Sequence, residues 1–329
     1  MAQQPPNRRE DALSSITSDG WSGLPPQPSP RPPRDPMTVL RENGITVPTD
    51  LSPRIIDDLV RIVSLMWVNG KIIPREEFHI DPADEGLLFG RGVWESTRTF
   101  NHVPWLWPLH IERLLRTASL LDIEIDPSRL PTSDQVREFT AALAGCDVVI
   151  RLNVSAGWPA VKRPGLVWMT AMLLPAPMAS ARLLSCKTPG SKDEPYRVWK
   201  TFQYGGRMQA AHQATTLGYD SALLLDTEGN LLEMAQANIF VRLPDGWATP
   251  TANGNLLPGT VRQHLLANSP LPIREQTIPS SLLSSVSEAF VTNSKVGIVP
   301  IVKIDNHTYE IGSETQELIR WLNPEPAKA

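Results

Sequence analysis

The chain has 329 residues, 41% hydrophobic and 20% charged, with a formal net charge of −4. That length suffices for two compact domains, and the mild acidity gives no basic field for nucleic acid. Cys146 and Cys186, with six scattered histidines and no H-x-x-x-H pair, leave no disulfide framework and no common zinc spacing, so no metal is expected.

Residues 1–36 hold nine of the 32 prolines. Such a segment buries too little apolar surface to offset its ordering entropy and reads as a disordered Pro-rich tail. Residues 37–65 read as an N-terminal helical extension. In it Leu51, Ile55, Ile56, Leu59, Val60, Ile62 and Val63 follow helical spacing after a Ser52-Pro53 start signal, and the helix is expected to pack on the main body without belonging to it. Met66 to Ile73 reads as a hairpin about Asn69-Gly70, the strongest short turn signal. A strand at 92–100, a helix from His110 to Leu121 and strands at 148–154 and 166–173 complete a small α+β domain, residues 66–173, with a mostly antiparallel sheet.

Prolines then punctuate the chain, and residues 174–180 are expected to link the domains. Residues 181–325 read as a larger domain: a helix at 206–217, a hairpin from Ala222 to Glu233, a strand at 238–243, a helix after Gly259 and a strand at 289–292. No stretch reaches the roughly 18–20 apolar residues of a membrane span, and no apolar leader opens the chain. A soluble cytoplasmic protein is expected.

The chemistry-bearing residues lie in separated segments. They are Phe89-Gly90-Arg91-Gly92-Val93-Trp94-Glu95, His110-Ile111-Glu112-Arg113-Leu114, Lys200-Thr201-Phe202-Gln203-Tyr204, Glu233 with Asn238-Ile239-Phe240 five residues on, Pro258-Gly259-Thr260-Val261-Arg262, and Thr292-Asn293-Ser294-Lys295. Only eight lysines occur, and Lys200 is the one set among Val198, Trp199, Phe202 and Tyr204. An apolar pocket would lower its pKa enough to leave a neutral nucleophile. On composition alone it is equally a surface lysine before a helix. A glutamate at a strand end, such as Glu233, more commonly faces solvent, and Arg113 also reads as part of a solvated helix face.

Taken together, these segments resemble the class IV aminotransferases, the fold-type IV pyridoxal phosphate (PLP) enzymes, over about residues 66–312. That family includes branched-chain aminotransferases, D-amino acid aminotransferases and aminodeoxychorismate lyases. The resemblance implies a two-domain α/β and α+β fold, D-amino acid aminotransferase-like, and a homodimer acting on amino acid and 2-oxo acid substrates. It implies that Lys200 holds PLP as a Schiff base and moves the Cα proton, that Glu233 partners the ring nitrogen, and that Tyr204 bonds the phenolic oxygen. Asn238 belongs to the same cofactor set. Arg113, Gly259, Thr260, Val261, Ser294 and the Lys295 amide would hold the phosphate. Trp94, Arg98 and Phe100, alternating in one strand, become substrate candidates, with Arg98 also a possible sheet ion-pair partner. The family departs here at Gln203, at Thr260-Val261 and at Lys295, whose side chain could add charge. Three outcomes stay open: a transaminase, with branched-chain donors favoured; a lyase releasing pyruvate; and a non-catalytic relative.

Overall fold

A computed structural model describes residues 35–48, 51–187 and 198–322. The proline-rich segment up to residue 34 and the prolines at 189 and 195 lie outside those residues. The described residues fall into two units, one ending at Val47 and the other beginning at Pro48. In the first, helix α1 (Pro36–Glu42) begins where the tail was expected to end. Asp35 accepts from Thr38 N at 2.9 Å and Pro36 occupies the first turn, both favourable helix starts.

The second unit opens with α2 (Pro53–Ser64), started by Pro53; the Ser52 side chain makes no capping bond. Contrary to expectation this helix belongs to the body, since its apolar stripe must be covered. Ile62 shares one core cluster with Trp67, Val136 and Phe139. Next come β1 (Leu65–Val68), β2 (Lys71–Pro74), α3 (Glu85–Phe89), β3 (Gly92–Phe100), β4 (Val103–Pro104), α4 (Trp107–Leu120), α5 (Ser133–Leu143), β5 (Val148–Ser155) and β6 (Val167–Leu173). Asn69 and Gly70 both take positive φ, 47° and 93°, as the tight hairpin turn requires. The strands form one antiparallel sheet in the order β2-β1-β6-β5-β3-β4. Register pairs Trp94 with Asn153 and Ser96 with Arg151. Period-two alternation therefore sends Val93, Ile150 and Leu152 into the core with Leu114 and Phe139, while Trp94, Ser96, Arg151 and Asn153 share the opposite face.

The remaining chain supplies β7 (Ala181–Lys187), α6 (Gly205–Thr216), β8 (Ser221–Leu225), β9 (Leu231–Met234), β10 (Asn238–Leu243), β11 (Gly246–Pro250), α7 (Thr260–Asn268), β12 (Ile273–Gln276), β13 (Glu288–Asn293), β14 (Gly297–Ile304), β15 (His307–Thr308) and α8 (Ser313–Leu322). These strands form a second sheet, ordered β12-β11-β10-β13-β14-β7-β8-β9, with β15 beside β14. It is mixed: β7 runs parallel to β8 and β14, and β11 parallel to β12. Phe240 and Phe290 stack at 4.7 Å and pack with Val261 and Leu265 of α7 and Leu318 of α8. That packing seats α7 against β10 and β13, and Leu257 N, just before α7, donates to Glu233 on β9. Among the described residues no helix is long and apolar enough to cross a membrane.

Candidate active site

Lys200 is held against the first sheet. Thr201 forms a β-bridge with Val93, Trp94 N donates to the Lys200 carbonyl at 3.0 Å, and Phe202 N donates to the Gly92 carbonyl at 2.9 Å. Trp94 Nε1 donates to the Thr201 carbonyl at 2.8 Å. Glycine is required at 92, because a Cβ there would enter the Phe202 ring. The chain so anchored sets Lys200 Nζ 3.7 Å from the Trp94 ring centre and 5.6 Å from that of Tyr204. The two rings meet edge to face at 5.2 Å. The apolar wall expected from sequence neighbours thus comes largely from β3, while Phe202 turns away onto Trp168. Burial, then the positive charge of Arg113, drives the Lys200 amine well below the ordinary lysine value. Glu95 opposes this, and Lys295 and Arg207 add to it.

A second group forms where α4 meets the start of α7. Glu95 is fully buried and receives Arg113 Nε at 2.7 Å, Arg113 Nη2 at 2.6 Å and His110 Nδ1 at 2.6 Å. Burial disfavours its ionised form, but Arg113 and His110 outweigh that and hold its pKa at about 2. Burial conversely pulls His110 below its ordinary value despite Glu95. A neutral ring that donates from Nδ1 must accept at Nε2, and Thr260 Oγ1 lies 3.2 Å away to supply that proton. The Thr260 hydroxyl is thereby engaged with protein. Arg113 Nη1 donates to the Pro258 carbonyl at 3.0 Å, so a guanidinium is locked beside the amino terminus of α7. There the amides of Thr260, Val261 and Arg262 precede the first intrahelical bond, Gln263 N to the Gly259 carbonyl, and point outward as an anion cradle. A Cβ at Gly259 would strike the Asn238 side-chain amide. Arg262, 3% exposed, faces inward onto the Pro250 carbonyl and Glu275, tying α7 to β11 and β12.

Glu233 forms the third group. It is 3% exposed, and its Oε1 accepts from Leu257 N at 3.0 Å and pairs with Arg207 Nη2 at 2.7 Å. Asn238 Nδ2 donates to the Leu257 carbonyl at 2.8 Å and stands 3.5 Å from Glu233 Oε2. Asn238 therefore braces the turn that enters α7. Arg207, on the first turns of α6, also covers the Tyr204 ring at 5.2 Å.

All three groups open on one cleft, lined by Arg113, Lys200, Tyr204, Glu233, Asn238, Gly259, Thr260, Val261 and Ser294. A second cleft of similar size shares Lys200, Tyr204 and Ser294 and adds Trp94, Ser96 and Lys295. Two of the expected phosphate donors are turned elsewhere. The Lys295 amide donates to Asn293 Oδ1 at 2.9 Å, and Ser294 Oγ donates to the Ser96 carbonyl, because this loop is closed by its own asparagine. Arg98 and Phe100 line neither cleft. The Arg98 guanidinium lies 4.5 Å from the Phe100 ring centre, and burial lowers its pKa against the pull of Asp147.

Residues that the sequence motifs contained without an assigned part now have one: Glu95 and His110 position Arg113 and Asn293 closes the Ser294 loop, while Arg207, outside those motifs, balances Glu233. Helical spacing of His110 and Arg113 with a buried strand glutamate was the available signal for the first. Arg207 carried none, since its partner is 26 residues distant in sequence. Among the described residues no group of three or more His, Cys, Asp or Glu side chains is placed to hold a metal.

Two clefts meeting at a desolvated lysine, with an anion cradle at one end and a buried carboxylate at the other, define a site for an aldehyde cofactor bearing a phosphate. The Amino-transferase class IV family matches residues 92–304, and the chain belongs to it. A putative branched-chain-amino-acid aminotransferase of Methanocaldococcus jannaschii is 27% identical over 269 residues, 77% of this chain and 93% of that protein. The aminodeoxychorismate lyase of Bacillus subtilis is 26% identical over 269 residues, 77% and 90% of the two chains. A hypothetical aminotransferase of Mycobacterium tuberculosis in its PLP-bound form superposes with a TM-score of 0.72 at 15% identity, covering 80% of this chain and 99% of that one; this likeness shows the fold.

The chain is thus a PLP-dependent enzyme, a transaminase or a lyase. Its residues fit that cofactor: the α7 amides with Arg113 suit a phosphate, Glu233 suits a ring nitrogen, and Lys200 suits an aldehyde. Bound PLP supplies an electron-withdrawing ring that makes the substrate's Cα proton removable.

Proposed function

We propose that this enzyme is an aminotransferase that moves an amino group from a branched-chain type amino acid to a 2-oxo acid. The observation that carries this reading is the meeting of Lys200, Glu233, Tyr204, Arg113 and the α7 amino terminus in one cleft, beside the chain's similarity to the Methanocaldococcus jannaschii relative. In this reading Lys200 Nζ, neutral at working pH, takes the proton from the substrate's Cα and later returns it. Glu233, paired with Arg207, would accept a hydrogen bond from the protonated ring nitrogen. Tyr204 would bond the phenolic oxygen, and Arg113 with the amides of Thr260 and Val261 would hold the phosphate. Trp94 walls the lysine from water.

We further propose a homodimer. The apolar run Leu87, Leu88 and Phe89 on α3, each more than half exposed, is a surface that a partner copy would cover; sedimentation of the purified chain tests it. A lyase acting on aminodeoxychorismate is the second reading, favoured by the Bacillus subtilis relative. The deciding experiment offers L-leucine, L-valine, D-alanine and aminodeoxychorismate to the PLP-loaded protein, each with a 2-oxo acid acceptor other than pyruvate, and measures keto acid against pyruvate. Keto acid from leucine and valine supports the first reading. Pyruvate from aminodeoxychorismate alone replaces it with the second, and D-alanine turnover alone overturns the branched-chain preference. No turnover and no visible band of lysine-bound PLP would overturn both enzyme readings.

A further inference from the structure

The first cleft holds one buried hydroxyl to which nothing above gives a part. Thr260, Thr292 and Ser294 are the aliphatic hydroxyl residues that line it. Thr260 Oγ1 is engaged by His110 Nε2 at 3.2 Å, and Ser294 Oγ donates to the Ser96 carbonyl. Thr292 is 1% exposed, and its Oγ1 has no hydrogen-bond partner among the described residues. Strand pairing fixes the side of the sheet on which it stands. In the antiparallel ladder of β10 and β13, Thr292 lies opposite Asn238 and Phe290 opposite Phe240. Residues directly paired, or two apart along a strand, share a sheet face. That face carries α7: Phe240 and Phe290 pack with Val261 and Leu265, and Asn238 Nδ2 reaches the Leu257 carbonyl just before the helix. Thr292 therefore stands on the α7 side, beside the asparagine that braces the turn into the anion cradle. A buried hydroxyl with no acceptor destabilises the folded chain, and the cleft it lines is the side from which an acceptor can come.

We infer that Thr292 is a further cofactor-binding residue, whose hydroxyl donates to the phosphate in place of the hydroxyls of Thr260 and Ser294. Chemistry selects the phosphate among the cofactor's acceptors. The ring nitrogen has Glu233 for a partner and the phenolic oxygen has Tyr204, whereas the phosphate's terminal oxygens accept more bonds than Arg113 and the α7 amides supply. The inference rests on reading the α7 amino terminus with Arg113 as the phosphate cradle, and it adds a donor from β13 that neither the helix nor the arginine provides.

The test compares wild type with Thr292→Val, which keeps the shape and removes the hydroxyl, and with Thr292→Ser, which keeps the hydroxyl. Apoprotein stability is read by chemical denaturation, and affinities for PLP, pyridoxal and inorganic phosphate by calorimetry. A hydrogen bond to a charged group is worth roughly ten- to a hundredfold. Thr292→Val is therefore expected to lose about tenfold or more in affinity for PLP and for inorganic phosphate, and none for pyridoxal, which lacks the phosphate. Its denaturation midpoint should stay level or rise, because an unpaired buried hydroxyl has been removed. Thr292→Ser should recover most of the PLP affinity. A hydroxyl that only holds the protein together gives the opposite signature. Thr292→Val would then have a lower midpoint or fail to fold, or would lose PLP and pyridoxal affinity equally, and any of these overturns the inference. Unchanged PLP affinity in Thr292→Val, or an equal loss in Thr292→Ser, overturns it as well. Failure of the parent reading looks different: wild type itself would then bind pyridoxal as tightly as PLP.

Discussion

Arg207 Nη2 stands 2.7 Å from Glu233 Oε1, with both side chains at most 13% exposed. Burying a carboxylate without a counter-charge is costly. Arg207 supplies that charge, and Leu257 N and Asn238 Nδ2 fix the carboxylate's direction. Removing one member of a buried pair leaves the other charge uncompensated, at a cost of about 3–5 kcal/mol. Arg207→Met is therefore expected to lower apoprotein stability by that order and to weaken PLP binding, while the Arg207→Met, Glu233→Gln double variant recovers much of the stability. Chemical denaturation of the four proteins in this cycle measures the coupling. Additive losses would show that the pair carries no special energy.

That the lysine is desolvated was readable from sequence, but for largely the wrong neighbours. The neighbours Val198, Trp199, Phe202 and Tyr204 suggested an apolar pocket, yet the ring nearest the amine is Trp94, more than a hundred residues earlier. Hydrophobic periodicity located β3, α4, β10 and α7 because each presents one apolar face to a core. It missed α5, β11, β12 and β14, whose patterns are short or interrupted. The pairing of Glu95 with His110 and Arg113 was legible as a motif but not as a network. Long-range partners such as Arg207 with Glu233 are set by tertiary packing, and local sequence does not encode them.

Lys200 should behave as an amine that is neutral well below the ordinary lysine pKa. The rate of forming lysine-bound PLP is expected to rise with pH along a limb whose midpoint lies well under the ordinary value of 10.5. Lys200→Ala should lose the visible band and at least about 10²–10⁴-fold in turnover, yet retain PLP through Arg113, the α7 amides and Glu233. Spectra and equilibrium dialysis read both. A band persisting in the variant would move the attachment point, with Lys295 the next amine in the cleft.

Acid should unfold this protein through the Glu95 cluster. Glu95 is held at about 2 against an ordinary 4.5, so its stabilisation is complete above the ordinary value and vanishes as pH falls through 2. The depression corresponds to something on the order of 3 kcal/mol. His110 acts in the same direction: depressed in the folded state, it lets the unfolded chain bind a proton first, and stability declines from its ordinary 6.5 downward. Denaturant midpoints between pH 7 and 3 are expected to fall in two stages. Glu95→Gln should abolish the lower stage and His110→Asn the upper. A wild-type midpoint independent of pH across that range would contradict the arrangement.

The turn into α7 gives the sharpest steric expectation. Gly259 is not held there by an unusual φ, since its backbone, at φ −65° and ψ 143°, is open to any residue. What excludes a side chain is the Asn238 amide, which a Cβ would strike. Gly259→Ala must therefore displace either Asn238 or the turn, breaking the 2.8 Å bond to the Leu257 carbonyl and re-aiming the Thr260 and Val261 amides. PLP affinity is expected to fall about ten- to a hundredfold, the loss of one or two charge-assisted bonds. The Asn238→Gly, Gly259→Ala double variant removes the clash and should bind PLP better than Gly259→Ala alone, though below wild type because the brace on Leu257 is gone. Fluorescence titration of the apoprotein with PLP measures all three. If the double variant bound no better than the single, crowding by Asn238 would not be the reason for glycine at this position.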